Sequence, residues 1–146
     1  MALLKKNRTL QYPLQAEFTF AVTDTMVATD GVTRTLGASG AANIFDVVAL
    51  PPNAVVVGGD ITVETASNDG GTSTVSVGDS GSATRYLAAT SIKAAGRTAL
   101  VPTGYRGNGE DIRVAFANAS GNATAGTVTL RVQYTITGRA NETQIA

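Results

Sequence analysis

The sequence predicts an all-β fold, an antiparallel two-sheet sandwich built as an eight-stranded jelly roll with extended N- and C-terminal arms. Short runs rich in Val and Thr recur along the 146 residues at a spacing of roughly 8–12 residues. Gly, Asn, Asp and Pro separate these runs, and no segment has the periodicity of a helix. A seven-stranded immunoglobulin-like sandwich is the alternative, although the chain lacks the Cys and Trp that mark that fold.

Eight segments carry the strand pattern. In the first segment, Phe18, Phe20 and Val22 alternate with smaller or polar residues, which places three apolar side chains on one face. In the last segment, apolar residues alternate without a break from Val128 to Ile136. The predicted strands cover residues 16–22, 44–50, 53–66, 72–77, 85–90, 97–101, 112–116 and 127–137.

Turn-forming residues set the breaks between these strands. The Asn-Asp-Gly-Gly run at residues 68–71 is the strongest hairpin signal in the chain. Gly58-Gly59, inside the third strand, indicates a bulge or a bend. Residues 24–40 are rich in Thr and Gly, and they form either a weak hairpin or a long loop.

The pattern divides the chain into one sandwich domain, residues 15–137, and two arms, residues 1–14 and 138–146. Both arms lie outside the strand pattern, and we expect them to be ordered only against another surface. No segment reaches the ~18 apolar residues of a membrane helix. The charges near the N-terminus are not followed by the apolar run of about 7–15 residues of a secretory signal. We therefore expect synthesis in a cytoplasm and no membrane partner.

The composition excludes several classes of activity. The chain has no Cys and no His, which removes the thiol nucleophile, the commonest zinc ligands and the Ser-His-Asp triad. Eleven basic residues balance eleven acidic residues, so binding to nucleic acid through phosphate neutralisation is not expected. Charged residues make up 15% of the chain, against about 25% in an average domain. Such a neutral surface fits a protein packed against neighbours, and it also fits a small polar β-protein.

The remaining signals for chemistry are weak. Glu17, Glu64 and Glu110 are the only glutamates between the arms, and glycoside hydrolysis needs a pair of carboxylates. Glu17 and Glu64, however, fall on the polar faces of strands. The turns at residues 68–69 and 79–80 offer too few oxygen ligands for calcium, and residues 104–109 are rich in Gly without the order of a phosphate loop. No metal and no cofactor is predicted.

Two segments are candidates for partner contacts. Lys5, Lys6 and Arg8 make the N-terminal arm basic, which suits either an acidic partner surface or a solvated tail. Tyr105, in the Gly-rich loop 104–109, is the one aromatic side chain placed to act as a platform for a sugar ring.

Three parts of the sequence resemble a known family. They are Val75–Tyr86 (VSVGDSGSATRY), Ala99–Tyr105 (ALVPTGY) and the pair Val132–Tyr134 (VQY) and Gly138–Glu142 (GRANE). Over roughly residues 53–142 the chain resembles small structural proteins of tailed bacteriophages, most closely the head decoration (cement) proteins of the jelly-roll type. It departs from that pattern at Ser82 and Thr84, where acidic residues often stand, which weakens the idea of a charge cluster with Arg85.

The resemblance implies a virion structural protein rather than an enzyme. Such proteins bind the outside of the mature capsid as dimers or trimers and bridge neighbouring major capsid subunits, which stabilises the head. The implied partners are therefore the major capsid protein and further copies of this chain, on the outer surface of the capsid. The expected contact residues are Lys5, Lys6, Arg8 and Tyr12 in the arm and Asp69, Gly70, Tyr105, Arg106 and Asn108 in loops.

Two other functions fit the same fold. A glycan- or receptor-binding module of a phage tail or fibre would use Tyr105. A small β-sandwich hydrolase would use Glu17 and Glu64.

Overall fold

The computed structural model describes residues 11–139, in which all regular structure is β-strand. The predicted arms lie outside the described residues, apart from residues 11–14 and 138–139. The strands are β1 (Leu14–Ala21), β2 (Thr25–Val27), β3 (Thr33–Thr35), β4 (Gly40–Val48), β5 (Pro52–Thr65), β6 (Ser73–Gly78), β7 (Leu87–Ser91), β8 (Gly96–Ala99), β9 (Arg106–Asn108), β10 (Ile112–Asn118) and β11 (Thr127–Ile136). Within residues 11–139 there is no helix that is long and apolar enough to cross a membrane.

The strands form two packed sheets and a separate hairpin. The larger sheet has the order β1-β11-β5-β8, with β9 also pairing with β5, and the smaller sheet has the order β4-β10-β6-β7. Strands β2 and β3 pair only with each other. Without β9 and this hairpin, eight strands remain, and the first pairs with the last, the second with the seventh, the third with the sixth and the fourth with the fifth. All these pairs are antiparallel. This nested pairing is that of a jelly roll, so the predicted fold is confirmed.

The core fills the space between the two sheets. Phe20 of the larger sheet meets Phe116 of the smaller sheet edge to face, with ring centroids 5.1 Å apart. Phe45 and Phe116 are the largest fully buried side chains. Burial of one such side chain stabilises the fold by about 1.5–3 kcal/mol. Within the described residues, every buried side-chain nitrogen and oxygen has a hydrogen-bond partner.

The predicted irregularity in the long central strand is confirmed. The pairing of β5 with β11 shifts between Gly58 and Val56, so Val57 has no opposite residue and is 43% exposed. Gly59 has a φ of +132°, and a Cβ at this position would collide with the carbonyl oxygen of Arg131. The strand therefore needs glycine at its bend.

The strand pairing tests the sequence-based predictions for three connecting segments. The prediction of a hairpin at residues 68–71 is wrong, because these residues link β5 of the larger sheet to β6 of the smaller one. The side chains of this turn bind another loop instead of closing a tight hairpin. Residues 24–40 do contain a hairpin, β2–β3. The Gly-rich loop 104–109 contains the short strand β9.

A network of three ion pairs lies on the outward face of the larger sheet. Arg131 binds Glu17 at 2.9 Å and Asp60 at 3.3 Å, and Asp60 also binds Arg97 at 2.7 Å. Burial raises the pKa of the Asp60 carboxyl, but the hydrogen bonds from Arg97 and Arg131 outweigh this effect, and the net pKa is lowered. Glu17, one of the candidate hydrolase carboxylates, is thus part of a surface ion-pair network.

Candidate interaction surface

The antiparallel strands place the connecting segments at two opposite ends of the sandwich. We call one end the loop end; it comprises residues 22–39, 66–72, 92–95 and 119–126. We call the other end the terminal end; it comprises residues 49–51, 79–86 and 100–111, together with both ends of the described chain, Gln11 and Arg139. A large partner bound at the loop end would therefore contact different residues from a partner bound at the terminal end.

A stacked tyrosine braces the terminal end. The guanidinium carbon of Arg85 lies 3.7 Å from the centroid of the Tyr105 ring. The hydroxyl of Tyr105 donates a hydrogen bond to Glu110 at 2.9 Å, and the other oxygen of Glu110 accepts one from the backbone N–H of Asn108. We call residues 100–111 the tyrosine loop. The bonds to Glu110 connect residues within this loop, and the stacking on Arg85 connects the loop to residues 79–86.

Arg85 is held in turn by a buried carboxylate. Asp79 is 4% exposed, and one of its oxygens accepts the backbone N–H groups of Gly81 and Ser82, both at 2.9 Å. Its other oxygen forms an ion pair with Arg85. The charge cluster that the sequence left in doubt at Ser82 therefore exists, with Asp79 as the partner of Arg85.

The protonation equilibria follow from these contacts. The hydrogen bond to Asp79 raises the pKa of Arg85, and the hydrogen bond to Glu110 raises the pKa of Tyr105. The backbone N–H of Asn108 lowers the pKa of Glu110. Burial raises the pKa of Tyr86 to about 12. Near neutral pH Arg85 is therefore a cation, Glu110 is a carboxylate, and Tyr86 and Tyr105 are neutral phenols.

The braced loop presents exposed side chains to solvent. Arg106 and Asn108 are exposed, and Val101 is 64% exposed. Arg106 lies opposite Val55 on β5, on the outward face of the larger sheet. An exposed cation, an amide and an apolar side chain on a rigid loop can bind a surface, because little conformational entropy is lost on binding.

The two ends of the described chain, Gln11 and Arg139, lie next to each other at the terminal end of the sandwich. The side-chain amide of Gln11 donates to the carbonyl of Ile136 at 2.7 Å and accepts from its N–H at 2.9 Å. The same amide group donates to the carbonyl of Arg139 at 3.1 Å. The next residue, Tyr12, is 66% exposed. The predicted N-terminal arm therefore joins the sandwich beside the start of the C-terminal tail.

The loop end is organised by a buried carboxylate that faces inward. Asp69 is 3% exposed, and its Oδ2 atom accepts the backbone N–H groups of Ala119 at 3.0 Å and Ser120 at 3.4 Å. The ammonium of Lys93 donates to the backbone carbonyls of Asp69 and Gly71. The carboxylate of Asp69 is thus occupied by backbone groups of its own chain.

Two asparagines at the loop end also bind backbone groups of neighbouring loops. The side-chain oxygen of Asn68 accepts the N–H groups of Thr124 at 2.8 Å and Ala125 at 3.0 Å. The side-chain oxygen of Asn122 accepts the N–H of Ser39 at 2.9 Å. Three loops are therefore joined by side chain to backbone bonds, which explains the turn-forming residues without a ligand.

The structure divides the predicted contact residues between the two ends. Tyr12, Tyr105, Arg106 and Asn108 lie at the terminal end, whereas Asp69 and Gly70 lie at the loop end. Lys5, Lys6 and Arg8 lie outside the described residues. Sequence reasoning did not name Asp79, Gln11 or Arg139 as contact residues, and it considered the turn at residues 79–80 only as a calcium site. The Asp-Ser-Gly-Ser turn could have pointed to Asp79, since an Asp at the first position of a turn often binds its own backbone.

The groups considered for chemistry have structural partners. Glu64 accepts a hydrogen bond from Thr129 at 2.7 Å, and Glu17 pairs with Arg131. Among residues 11–139, no cluster of three or more acidic side chains could hold a metal ion. The Gly-rich loop 104–109 is followed by strand β10 rather than by the helix that a phosphate loop requires.

Comparison with known proteins finds chains of similar fold among solved structures. No family model matches the chain, and no curated protein matches it. Among solved structures, similar jelly-roll chains occur in bacteriophage capsids.

A chain in the capsid asymmetric unit of cyanophage Pam1 matches with a TM-score of 0.61 and 22% identity, over 92% of this chain and 94% of that one. A chain of the acidic stable capsid of Helicobacter pylori bacteriophage KHP30 matches with a TM-score of 0.57 and 20% identity, over 85% and 87%. A chain in the capsid of Ralstonia phage GP4 matches with a TM-score of 0.55 and 18% identity, over 94% and 93%. At these identities the similarity concerns the fold.

Proposed function

We propose that this protein is a structural component of a bacteriophage virion and, more specifically, a decoration protein of the capsid. In this role it binds the outside of the head as a dimer or trimer and bridges major capsid subunits. One observation carries the proposal. The similarity to the three capsid chains spans at least 85% of this chain and at least 87% of each of them, so whole proteins of similar length share the fold.

The proposed role requires binding and no catalysis. The chain has neither His nor Cys, and Glu17 and Glu64 serve an ion pair and a hydrogen bond. A protein that binds only the mature shell stabilises that shell by mass action. Because many copies act on one lattice, each single contact needs little affinity.

We assign the capsid-facing role to the terminal end. The predicted arm joins the sandwich there, and the tyrosine loop is held rigid by Arg85 and Glu110. A rigid loop loses little conformational freedom on binding, which favours affinity. The arm, with Lys5, Lys6 and Arg8, would lie across acidic groups of a capsid subunit.

The glycan-binding alternative has less support. Arg85 covers one face of the Tyr105 ring, and the Tyr105 hydroxyl is engaged by Glu110. A sugar-binding platform needs an accessible ring face, and the stacked Arg85 removes one of the two faces of this ring.

Co-sedimentation with capsids that lack their own copy of the protein tests the proposal. We expect saturable binding at a fixed ratio to the major capsid protein and a higher temperature of capsid rupture. A variant lacking residues 1–10 keeps Gln11 and β1, so it should fold with an unchanged melting temperature and bind much more weakly. Full binding by this variant would refute the role of the arm. If the intact protein does not bind capsids but is present in purified virions, the proposal is wrong and the protein is assigned to the tail.

A further inference from the structure

The arginines of the described residues fall into two groups. Five of them form ion pairs with carboxylates of the same chain: Arg34, Arg85, Arg97, Arg113 and Arg131. The other two, Arg106 and Arg139, have no carboxylate of residues 11–139 within ion-pair distance, and both are exposed. Both also lie at the terminal end, so the cations without an internal partner are not spread over the surface.

The positions of these two arginines are fixed by the backbone. Arg106 lies opposite Val55, which lies opposite Thr135 of β11, so Arg106 and Thr135 are about two strand spacings, or ~10 Å, apart. Arg139 follows four residues after Thr135, in a turn closed by a 3.1 Å bond from its N–H to the carbonyl of Ile136. The Gln11 amide also binds this turn. The backbones of Arg106 and Arg139 therefore lie at the same end of the larger sheet, near the start of β5 and the end of β11.

The charge of the chain is distributed unevenly along the sandwich. At the loop end, including Glu64 at the end of β5, four carboxylates stand against Arg34 and Lys93. At the described terminal end, three carboxylates, Asp79, Glu110 and Asp111, stand against three arginines. The segment before Gln11 then adds three cations, and the segment after Arg139 adds one anion. A chain of zero net charge is thus more positive at its terminal end.

We propose that Arg106 and Arg139 form a carboxylate-binding surface, with Val57 as its apolar contact, that recognises an acidic protein surface. The inference rests on the proposed capsid function and names the chemistry of the receiving surface. Guanidinium groups bind carboxylates through paired hydrogen bonds, and both of these groups have their donors available. A protein partner is favoured over nucleic acid because two cations neutralise few phosphates. Val57, which is exposed and lies two residues along β5 from the partner of Arg106, offers an apolar contact to a protein.

The double variant Arg106→Gln/Arg139→Gln tests the inference in the full-length protein. The matched control Arg34→Gln/Arg97→Gln removes the same two charges away from the terminal end. Binding to capsids is measured by co-sedimentation from low to high salt, and the melting temperature confirms folding. We expect the terminal variant to lose about five- to tenfold in affinity at low salt and to show a weaker salt dependence, while the control changes by less than about twofold. Arg106→Lys/Arg139→Lys should retain part of the binding.

The outcomes separate the two proposals. If the wild-type protein does not bind capsids, the proposed function fails. If the wild-type protein binds and both double variants bind equally well, the function stands and the carboxylate-binding surface is wrong. The inference is also wrong if the wild-type protein binds a labelled DNA duplex as tightly as it binds capsids and only the terminal variant loses this affinity, because phosphates would then be the acceptors.

Discussion

The two ends of the sandwich use their polar side chains in opposite ways. At the loop end, Asn68, Asp69 and Asn122 point their oxygens at backbone N–H groups of neighbouring loops. At the terminal end, Arg85 and Glu110 brace Tyr105, while Arg106 on the same loop is exposed and has no ion pair within residues 11–139. The loop end therefore uses its polar groups to hold the fold, and the terminal end keeps some of them available for a partner.

This difference explains why turn-forming residues do not by themselves indicate a binding loop. Asp69 and Tyr105 both stand in Gly-rich segments and both were expected to contact a partner. Asp69 is almost fully buried in the loop it organises, whereas Tyr105 is half-buried and its neighbour Arg106 is exposed. Substitutions at the two ends should therefore separate stability from binding.

The largest effect is expected from Asp69→Ala at the loop end. The change leaves the N–H groups of Ala119 and Ser120 without their acceptor in a partly buried site. We expect a loss of about 3 kcal/mol of unfolding free energy, because several bonds to a buried charged group disappear together. Calorimetry should show a melting temperature lowered by about 10 °C.

The control for this change is Asp111→Ala at the terminal end. Asp111 is only partly buried, and its removal should change stability by no more than about 0.5 kcal/mol. Equal effects of the two substitutions would contradict the structural role assigned to Asp69. Capsid binding measured below the melting temperature should be unchanged in the Asp69 variant.

The next effect is a loss of stability in alkali that originates at the terminal end. Burial raises the pKa of Tyr86 to about 12, from 10.0. Because the folded protein disfavours the phenolate, the stability from Tyr86 is complete below pH 10 and declines as the pH rises towards 12. Linkage gives a loss of about 1.4 kcal/mol at pH 11. Denaturant unfolding at pH 8 and pH 11 should show this loss, and Tyr86→Phe should reduce it; an identical loss in that variant would assign it to other groups.

A smaller effect on stability is expected when the tyrosine loop is released. Tyr105→Leu removes the ring under Arg85 and the hydroxyl that binds Glu110, which should cost about 1 kcal/mol. Hydrogen exchange should accelerate in residues 103–110 while the protection of β5 and β11 stays the same. Tyr105→Phe keeps the stacking and should lie between wild type and Tyr105→Leu. Unchanged exchange in Tyr105→Leu would mean that the ring does not brace the loop.

The sequence predicted the jelly roll well because its signals are local and periodic. Phe18 and Phe20 alternate with polar residues, and the two glycines at positions 58 and 59 mark the bend of β5. The hairpin at residues 68–71 was mispredicted because a turn sequence does not specify which sheet the next strand joins. Asn68 and Asp69 bind residues 50 or more positions away in the chain. Such long-range pairing leaves no local pattern, and the same holds for the bond between Gln11 and Ile136.

The smallest effect concerns the coupling between the two ends. Asp69 and Tyr105 stand at opposite ends and share no partner, and β6 and β5 lie between them. Free energies of unfolding for Asp69→Ala and Tyr105→Leu should therefore add within about 0.5 kcal/mol in the double variant. Arg85→Met combined with Tyr105→Leu should fall short of additivity, since both changes remove the same stacking. Strong coupling between Asp69 and Tyr105, measured by denaturant unfolding, would mean that a partner bound at the terminal end also acts on the loop end. Additivity would instead mean that the loop end maintains the fold whether or not the terminal end is bound.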